Sequence, residues 1–200
     1  MKHFELTKEN RVTESGIVLF RIRCTAAIEK FGVAAGDLGG WVEKEGNIDE
    51  EAWVSGNAWV SGNAWVSGNA WVSGDARVSG DARVFGNAWV SGDAWVSGDA
   101  RVSGDARVPG DARVAKARDI WWSSIIGSRN GTTTVYRTEE SIEITCGCFR
   151  GSLSEFSDAV EKTHGDTQFG REYKALIEFI KVRFDLSSPI EEAIPETVKE

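Results

Sequence analysis

The chain has 200 residues, a formal net charge of −8 and nine tryptophans. The acidic balance argues against general nucleic-acid binding, which needs a basic face, and no run is long and apolar enough to span a membrane. Three cysteines (Cys24, Cys146, Cys148) are too few for a disulfide framework, and Met1-Lys-His-Phe-Glu5 turns polar at once, so the expectation is a cytoplasmic protein without a signal peptide.

Residues 1–40 carry no repeat. Ile17 to Cys24 reads as a strand paired with His3-Phe-Glu-Leu6 across a turn near Glu14-Ser-Gly16. Phe31 to Trp41 is glycine-rich and leads into the repeats, so 1–40 is read as the N-terminal cap that an open-ended solenoid needs. The glycines lack a Lys-Ser/Thr ending and open no helix, which argues against a phosphate loop.

Between Val54 and Val114 a six-residue unit, Val-Ser-Gly-(Asn/Asp)-Ala-(Trp/Arg), repeats almost without error, broken in its Ser position only by Phe85 and Pro109. Val42 and Ile48 hold the same phase. Strand alternation sends Ala and Val to one side and Trp/Arg and Ser to the other, and Gly-(Asn/Asp) supplies a corner. One branched aliphatic every six residues predicts a parallel β-helix over 41–119. Three units make a triangular coil of roughly 18 residues, giving about four coils spaced about 4.8 Å apart.

Residues 18 apart then share a face. The three outward ladders are Trp53, Trp71, Trp89, Arg107; Trp41, Trp59, Arg77, Trp95, Arg113; and Asn47, Trp65, Arg83, Arg101, Asp119. Seven of the nine tryptophans lie in them, more than a column with a filled interior needs, so they are read as exposed strips that mark an interface. Asn is followed two residues later by Trp and, with Asp93-Trp95 the exception, Asp by Arg, so charge is expected to enter as local, self-neutralising pairs.

After Ala115-Lys-Ala-Arg-Asp119 the pattern changes. Ile120–Ile126, Thr132–Arg137 and Ser141–Cys146 read as strands, the first two joined through Ser128-Arg-Asn-Gly131. Ser152-Leu-Ser-Glu155 is a capping box opening a helix to about His164, with Leu153, Phe156 and Val160 as its apolar side. Arg171 to Phe184 reads as a second amphipathic helix burying Tyr173, Leu176, Ile177, Ile180 and Phe184. Residues 120–186 thus form a small α+β module, and 187–200 read as a loose tail. Trp121 and Trp122 should point to opposite sides, one sealing the column and the other facing a groove.

The Val and Ala positions of the unit resemble the hexapeptide-repeat family. That resemblance implies a left-handed β-helix, usually trimeric. Gly36-Asp-Leu-Gly-Gly-Trp41 running into such units looks like a group of phage and prophage hexapeptide-repeat proteins, which implies a bacterial host as the setting and supplies no active residues. The family's acyltransferases use a histidine on the coil and its γ-class carbonic anhydrases three metal-binding histidines. The chain has two, His3 and His164, both outside the coils, so neither activity is expected, and neither is any metal or other cofactor.

Four readings follow. The leading one is a non-catalytic, homotrimeric binding protein that grips a host protein or sequesters a small nucleotide-like ligand, as a counter-defence factor would. Its candidate contacts are Trp53, Trp71, Trp89, Arg107, Trp59, Arg77 and Trp95 on the ladders, with Trp122, Arg150 and Arg171 in the module, because an indole stacks on a base while a guanidinium holds its phosphate. The second is a rigid spacer with no ligand. The third is an enzyme in the C-terminal module, which would need Cys148 or His164 in a pocket with a second polar group. The fourth is ice or carbohydrate binding by a flat face, which bulky mixed Trp/Arg ladders disfavour; mimicry of DNA along Asn57, Asp75, Asp93 and Asp111 is diluted by the arginines.

Overall fold

The structure, a computed structural model, describes residues 2–49 and 51–186. Strands β1 (Phe4–Val12), β2 (Val18–Cys24) and β3 (Leu38–Val42) form an antiparallel cap. Eleven two-residue strands follow, from Trp53–Val54 (β4) to Arg113–Val114 (β14), each a Trp-Val or Arg-Val pair. The end of β3 continues into the column, since Trp41 and Val42 pair in parallel with Trp59 and Val60. The result is a parallel β-solenoid of about four turns, capped at one end by the sheet and at the other by a module of sheet and helices.

The register follows from the unit. Trp53, Trp71, Trp89 and Arg107 align on the first face, Trp41, Trp59, Arg77, Trp95 and Arg113 on the second, and Trp65, Arg83 and Arg101 on the third. Every valine from Val54 to Val114 is fully buried, and the alanines between them are nearly so. Burying one such valine is worth about 1.5 kcal/mol or more, and neither side chain carries a polar atom to satisfy inside. Three amides of the unit donate one coil onward, as Trp53 N–H to Ala70 O (3.0 Å), Ser55 N–H to Val72 O (2.9 Å) and Asn57 N–H to Gly74 O (2.9 Å). The corner glycines hold positive φ, as at Gly74 (φ +70), where a Cβ would stand 2.9 Å from the Gly92 nitrogen of the next coil.

Two expectations about the surface need correction. The Asp and Arg of one unit do not pair: among the described residues no ion pair joins Asp75 to Arg77 or its equivalents, because Asp sits on the corner while Arg stands on the strand face. The corners bond vertically instead, Asn57 to Asp75 (3.1 Å), Asn63 to Asp81 (3.1 Å), Asn69 to Asn87 (3.0 Å) and Asn87 to Asp105 (2.9 Å). Nor is Asn47 an outward rung. It is fully buried, and its Nδ2 donates to Ala64 O (2.8 Å) and Gly62 O (3.2 Å) while its Oδ1 accepts from Lys44 N–H (3.0 Å). Ala64 O is the carbonyl that a backbone amide meets one coil further on, as Trp65 N–H meets Ala82 O, so the amide side chain finishes the ladder where the column starts.

The far end is closed by β15 (Ile120–Ile126) and β16 (Gly131–Arg137), whose Ile120 and Tyr136 join the column's core. Strands β17 (Ile142–Cys146) and β18 (Phe149–Gly151) complete this sheet. Helices α1 (Leu153–His164) and α2 (Gln168–Arg183) pack on it around Phe156, Val160, Tyr173, Leu176, Ile177 and Ile180. The capping box at Ser152 is present. Helix α2 starts three residues before the expected Arg171 because Thr167 caps it, its hydroxyl accepting from Gly170 N–H (3.2 Å). Trp122 packs on the column and Trp121 on the module, 4.9 Å from Phe179 rather than in a groove. The loose tail expected over 187–200 lies outside the described residues.

Candidate functional site

The caps decide what each ladder residue can touch. On the first face Trp53 is only 1% exposed, covered by the N-terminal strand: His3 Nε2 lies 2.8 Å from Ala52 O and its ring 6.1 Å from the indole. Trp53 is therefore a core residue and not part of an exposed strip, a correction to the sequence reading. Trp71 is sandwiched between Phe31 (5.0 Å) and Trp89 (5.1 Å, 19° between planes), and its indole N–H donates to Ser55 Oγ at 2.8 Å. The serine of the unit thus serves an indole of the next coil; Ser79 does the same for Trp95 at 3.4 Å. Trp89 ends the aromatic stack, 39% exposed, with the Arg107 guanidinium 5.7 Å from its ring centroid.

Above Trp89 and Arg107 the C-terminal sheet overhangs the column. The two surfaces enclose a cleft of about 480 Å³, with Asn87, Trp89, Asp105 and Arg107 on the column side and Thr132, Thr134, Thr145 and the glycines Gly131 and Gly147 on the other. At this height there is no further coil to receive Arg107 N–H, and Thr134 Oγ1 accepts it at 3.1 Å. No carboxylate comes within ion-pair distance of the Arg107 guanidinium among the described residues. The cleft therefore offers an indole, a guanidinium with no carboxylate at ion-pair distance among the described residues, and threonines opposite, with the Asp105 carboxylate, bonded to Asn87, on the column side.

The second face carries a shallower groove of about 630 Å³ under the β1–β2 turn, lined by Arg11, Asn57, Trp59, Asp75, Arg77 and Trp95. Its cations lie over indoles: among the described residues Arg77, like Arg107, has no carboxylate at ion-pair distance. Arg77 lies 5.9 Å from both Trp59 and Trp95, and Arg11 donates to Asn57 O at 2.9 Å while covering the buried Trp41 at 4.4 Å. Burial, and then the neighbouring Arg21 and Arg77, hold the Arg11 guanidinium below its ordinary value.

The module residues expected at a binding surface divide. Trp122 packs against the column core. Arg150 is a strut: it donates to Glu143 Oε2 (2.8 Å) and Asp111 Oδ1 (3.3 Å) and lies over Gly110, where a Cβ would collide with it. Arg171 bonds to Asp166 O (2.6 Å) on the first turn of α2 and does not line the cleft. The structure thus brings Trp89 and Arg107 together, brings Trp59, Arg77 and Trp95 together elsewhere, and leaves the others in packing roles.

A third cavity, of about 260 Å³, lies inside the module. It meets the condition set for the enzyme reading, since Cys146, Cys148, His164, Arg129 and Tyr173 all line it. The Tyr173 hydroxyl is 3.6 Å from Cys146 Sγ and its ring stacks on His164 at 5.5 Å. Burial, and then the Cys146 contact, push the Tyr173 phenol well above its ordinary value, so it stays protonated. Among the described residues no group of three or more His, Cys, Asp or Glu side chains could hold a metal ion, and no helix is long and apolar enough to cross a membrane.

Comparison with known proteins adds one likeness. The family model described as YdcK Beta solenoid repeat matches residues 52–68, 58–74, 76–92 and 82–98, all within the column. No curated protein and no solved structure matches the chain. The repeats are thus similar to a β-solenoid repeat family, in agreement with the coils seen here.

Proposed function

We propose that the protein is a non-catalytic binding scaffold whose cleft between the column and the C-terminal sheet holds a small molecule with a flat ring and a negative charge, a nucleotide-like ligand. The single observation that carries this reading is the pairing of a 39% exposed Trp89 with an Arg107 guanidinium that has no carboxylate partner among the described residues. Trp71 stacks on one face of the Trp89 indole and the Arg107 guanidinium lies over the other at 5.7 Å. A ligand ring would displace the guanidinium to stack there, a contact worth about 1–3 kcal/mol, and the freed guanidinium would take the ligand's phosphate. Thr145, on the opposite wall, carries a hydroxyl of the kind that suits phosphate oxygens, while the Thr132 hydroxyl is shared with Ser124 at 2.8 Å. The phage resemblance supplies the setting in which sequestering a nucleotide signal would act against host defence.

The test is calorimetric titration of the full chain with adenosine, adenosine monophosphate, adenosine diphosphate and inorganic phosphate. A nucleotide is expected to bind more tightly than adenosine or phosphate alone. Arg107→Ala is expected to weaken it about tenfold or more, the worth of a charge-assisted hydrogen bond, and Trp89→Ala comparably. Arg101→Ala, on another face, is the control. No binding by any member of the panel would overturn the reading in favour of a spacer, and so would an Arg101→Ala variant as weak as Arg107→Ala.

A further inference from the structure

The binding reading leaves the module's inner cavity unused, although it gathers two thiols. Cys146 is the last residue of β17 and pairs with Phe149, the first of β18, so Gly147 and Cys148 are the two residues of the hairpin turn. Gly147 adopts φ +60 while Cys148 keeps a negative φ, the pattern of a turn that needs glycine at its first central position. This turn directs both cysteines to the same cavity. Cys146 is half-buried, with Thr133 Oγ1 donating to its sulfur at 3.2 Å and the Tyr173 hydroxyl in hydrogen-bond contact with it at 3.6 Å; Cys148 is exposed. Two residues flanking one glycine in so tight a turn lie within the Cα separation of roughly 4.4–6.8 Å that a disulfide bridges. Cys24, by contrast, is buried in the N-terminal cap, its thiol donating to Ala26 O.

We propose that Cys146 and Cys148 are a redox-active thiol pair that a hydroperoxide converts to a disulfide. The exposed Cys148, as thiolate, attacks one peroxide oxygen. The O–O bond breaks, the other oxygen leaves and takes up a proton as water or an alcohol, and Cys148 becomes a sulfenic acid. The Cys146 sulfur then attacks the Cys148 sulfur; the S–O bond breaks, and the departing hydroxide takes the Cys146 proton and leaves as water. The two sulfurs together lose two electrons, the peroxide gains two, and one S–S bond has formed. A ring closed over one intervening residue is strained, so the bridge is readily reduced again, as suits a protein whose cysteine usage reads as that of a reducing compartment.

The turn also gives the pair a lever. Gly147 lines both this cavity and the Trp89–Arg107 cleft, so tightening the turn reshapes the cleft wall. That consequence rests on the proposed function; the thiol pair itself does not.

The test treats the reduced full-length protein with hydrogen peroxide and follows free thiols by alkylation and intact mass. Two of the three thiols are expected to disappear together with the loss of two hydrogens, to return with dithiothreitol, and to map to one Cys146–Cys148 peptide while Cys24 stays free. Cys148→Ser should abolish the reaction, and Cys146→Ser should leave a sulfenic acid at Cys148 that dimedone traps. If a variant does not fold, the wild-type peptide map decides alone. Three free thiols after peroxide, a bridge containing Cys24, or a bridge between two chains would overturn the proposal. Nucleotide titration of the oxidised protein is expected to show lost affinity that reductant restores; unchanged affinity would overturn only the link to the cleft. Absence of nucleotide binding in the reduced protein would count against the proposed function alone.

Discussion

Replacing Asn47 by alanine tests how the column starts. The buried amide makes three hydrogen bonds, Nδ2 to Ala64 O at 2.8 Å, Nδ2 to Gly62 O at 3.2 Å and Lys44 N–H to Oδ1 at 3.0 Å. At about 1 kcal/mol each, with Ala64 O then buried and unmet, Asn47→Ala should cost roughly 3 kcal/mol. For a chain of this size that is a fall in Tm of roughly 6–12 °C. The comparison is Asn63→Ala, whose exposed side chain has one bond, to Asp81, and which should cost no more than about 0.5 kcal/mol. Thermal unfolding followed by far-ultraviolet circular dichroism reads both. Hydrogen exchange adds location, since a solenoid opens from a damaged end and the protection loss should concentrate at Gly62–Val66. Equal falls in Tm for the two variants would refute the claim that Asn47 completes the ladder.

Three further outcomes are expected. Gly74→Ala forces a side chain to φ +70 and to 2.9 Å from the next coil's backbone, and should cost more than about 2 kcal/mol, whereas Gly46→Ala, whose Cβ meets nothing within 4 Å, should be near neutral by thermal unfolding. Burial, and then the bond to Glu143, push the Tyr136 phenol up, so the folded chain binds that proton more tightly than the unfolded chain does. Its contribution is present below the unfolded phenol value of about 10 and is lost as pH rises past it; urea midpoints should fall above about pH 10, less steeply in Tyr136→Phe. Arg150→Ala should leave nucleotide affinity unchanged in calorimetry, because Arg150 ties Glu143 to Asp111 outside the cleft; a loss like that of Arg107→Ala would return it to the ligand site.

What the sequence shows is what has a local period. The valine and alanine interior, the three-face register and the two-helix module follow from alternation, corner residues and a capping box. What it hides depends on how distant segments meet. Seven tryptophans share the same unit, yet Trp53 lies under His3, Trp71 under Phe31 and Trp41 under Arg11, while Trp89 and Trp95 remain exposed. Apart from Trp41, which follows Gly40, all of them sit in Ala-Trp-Val, and nothing in that tripeptide distinguishes them. The threonines of the cleft went unnoticed for the same reason, since only the docking of β16 on the column end brings Thr134 to Arg107. Two glycines show how a local signal can inform or mislead. Gly147-Cys148 between short β-prone runs is a hairpin signal that announces β18. Gly170 looks like a helix breaker, yet lies inside α2 because a Cβ there would collide with Gly165 O at the end of α1.

The most direct test of the binding account is native mass spectrometry of the full chain purified gently from cells, followed by denaturation and identification of whatever is released. The account predicts that wild-type protein carries a phosphorylated, ring-bearing small molecule, that Arg107→Ala carries none, and that Arg101→Ala still carries it. Wild-type protein that emerges bare, and stays bare when offered nucleotides, would contradict the account and leave the column a spacer.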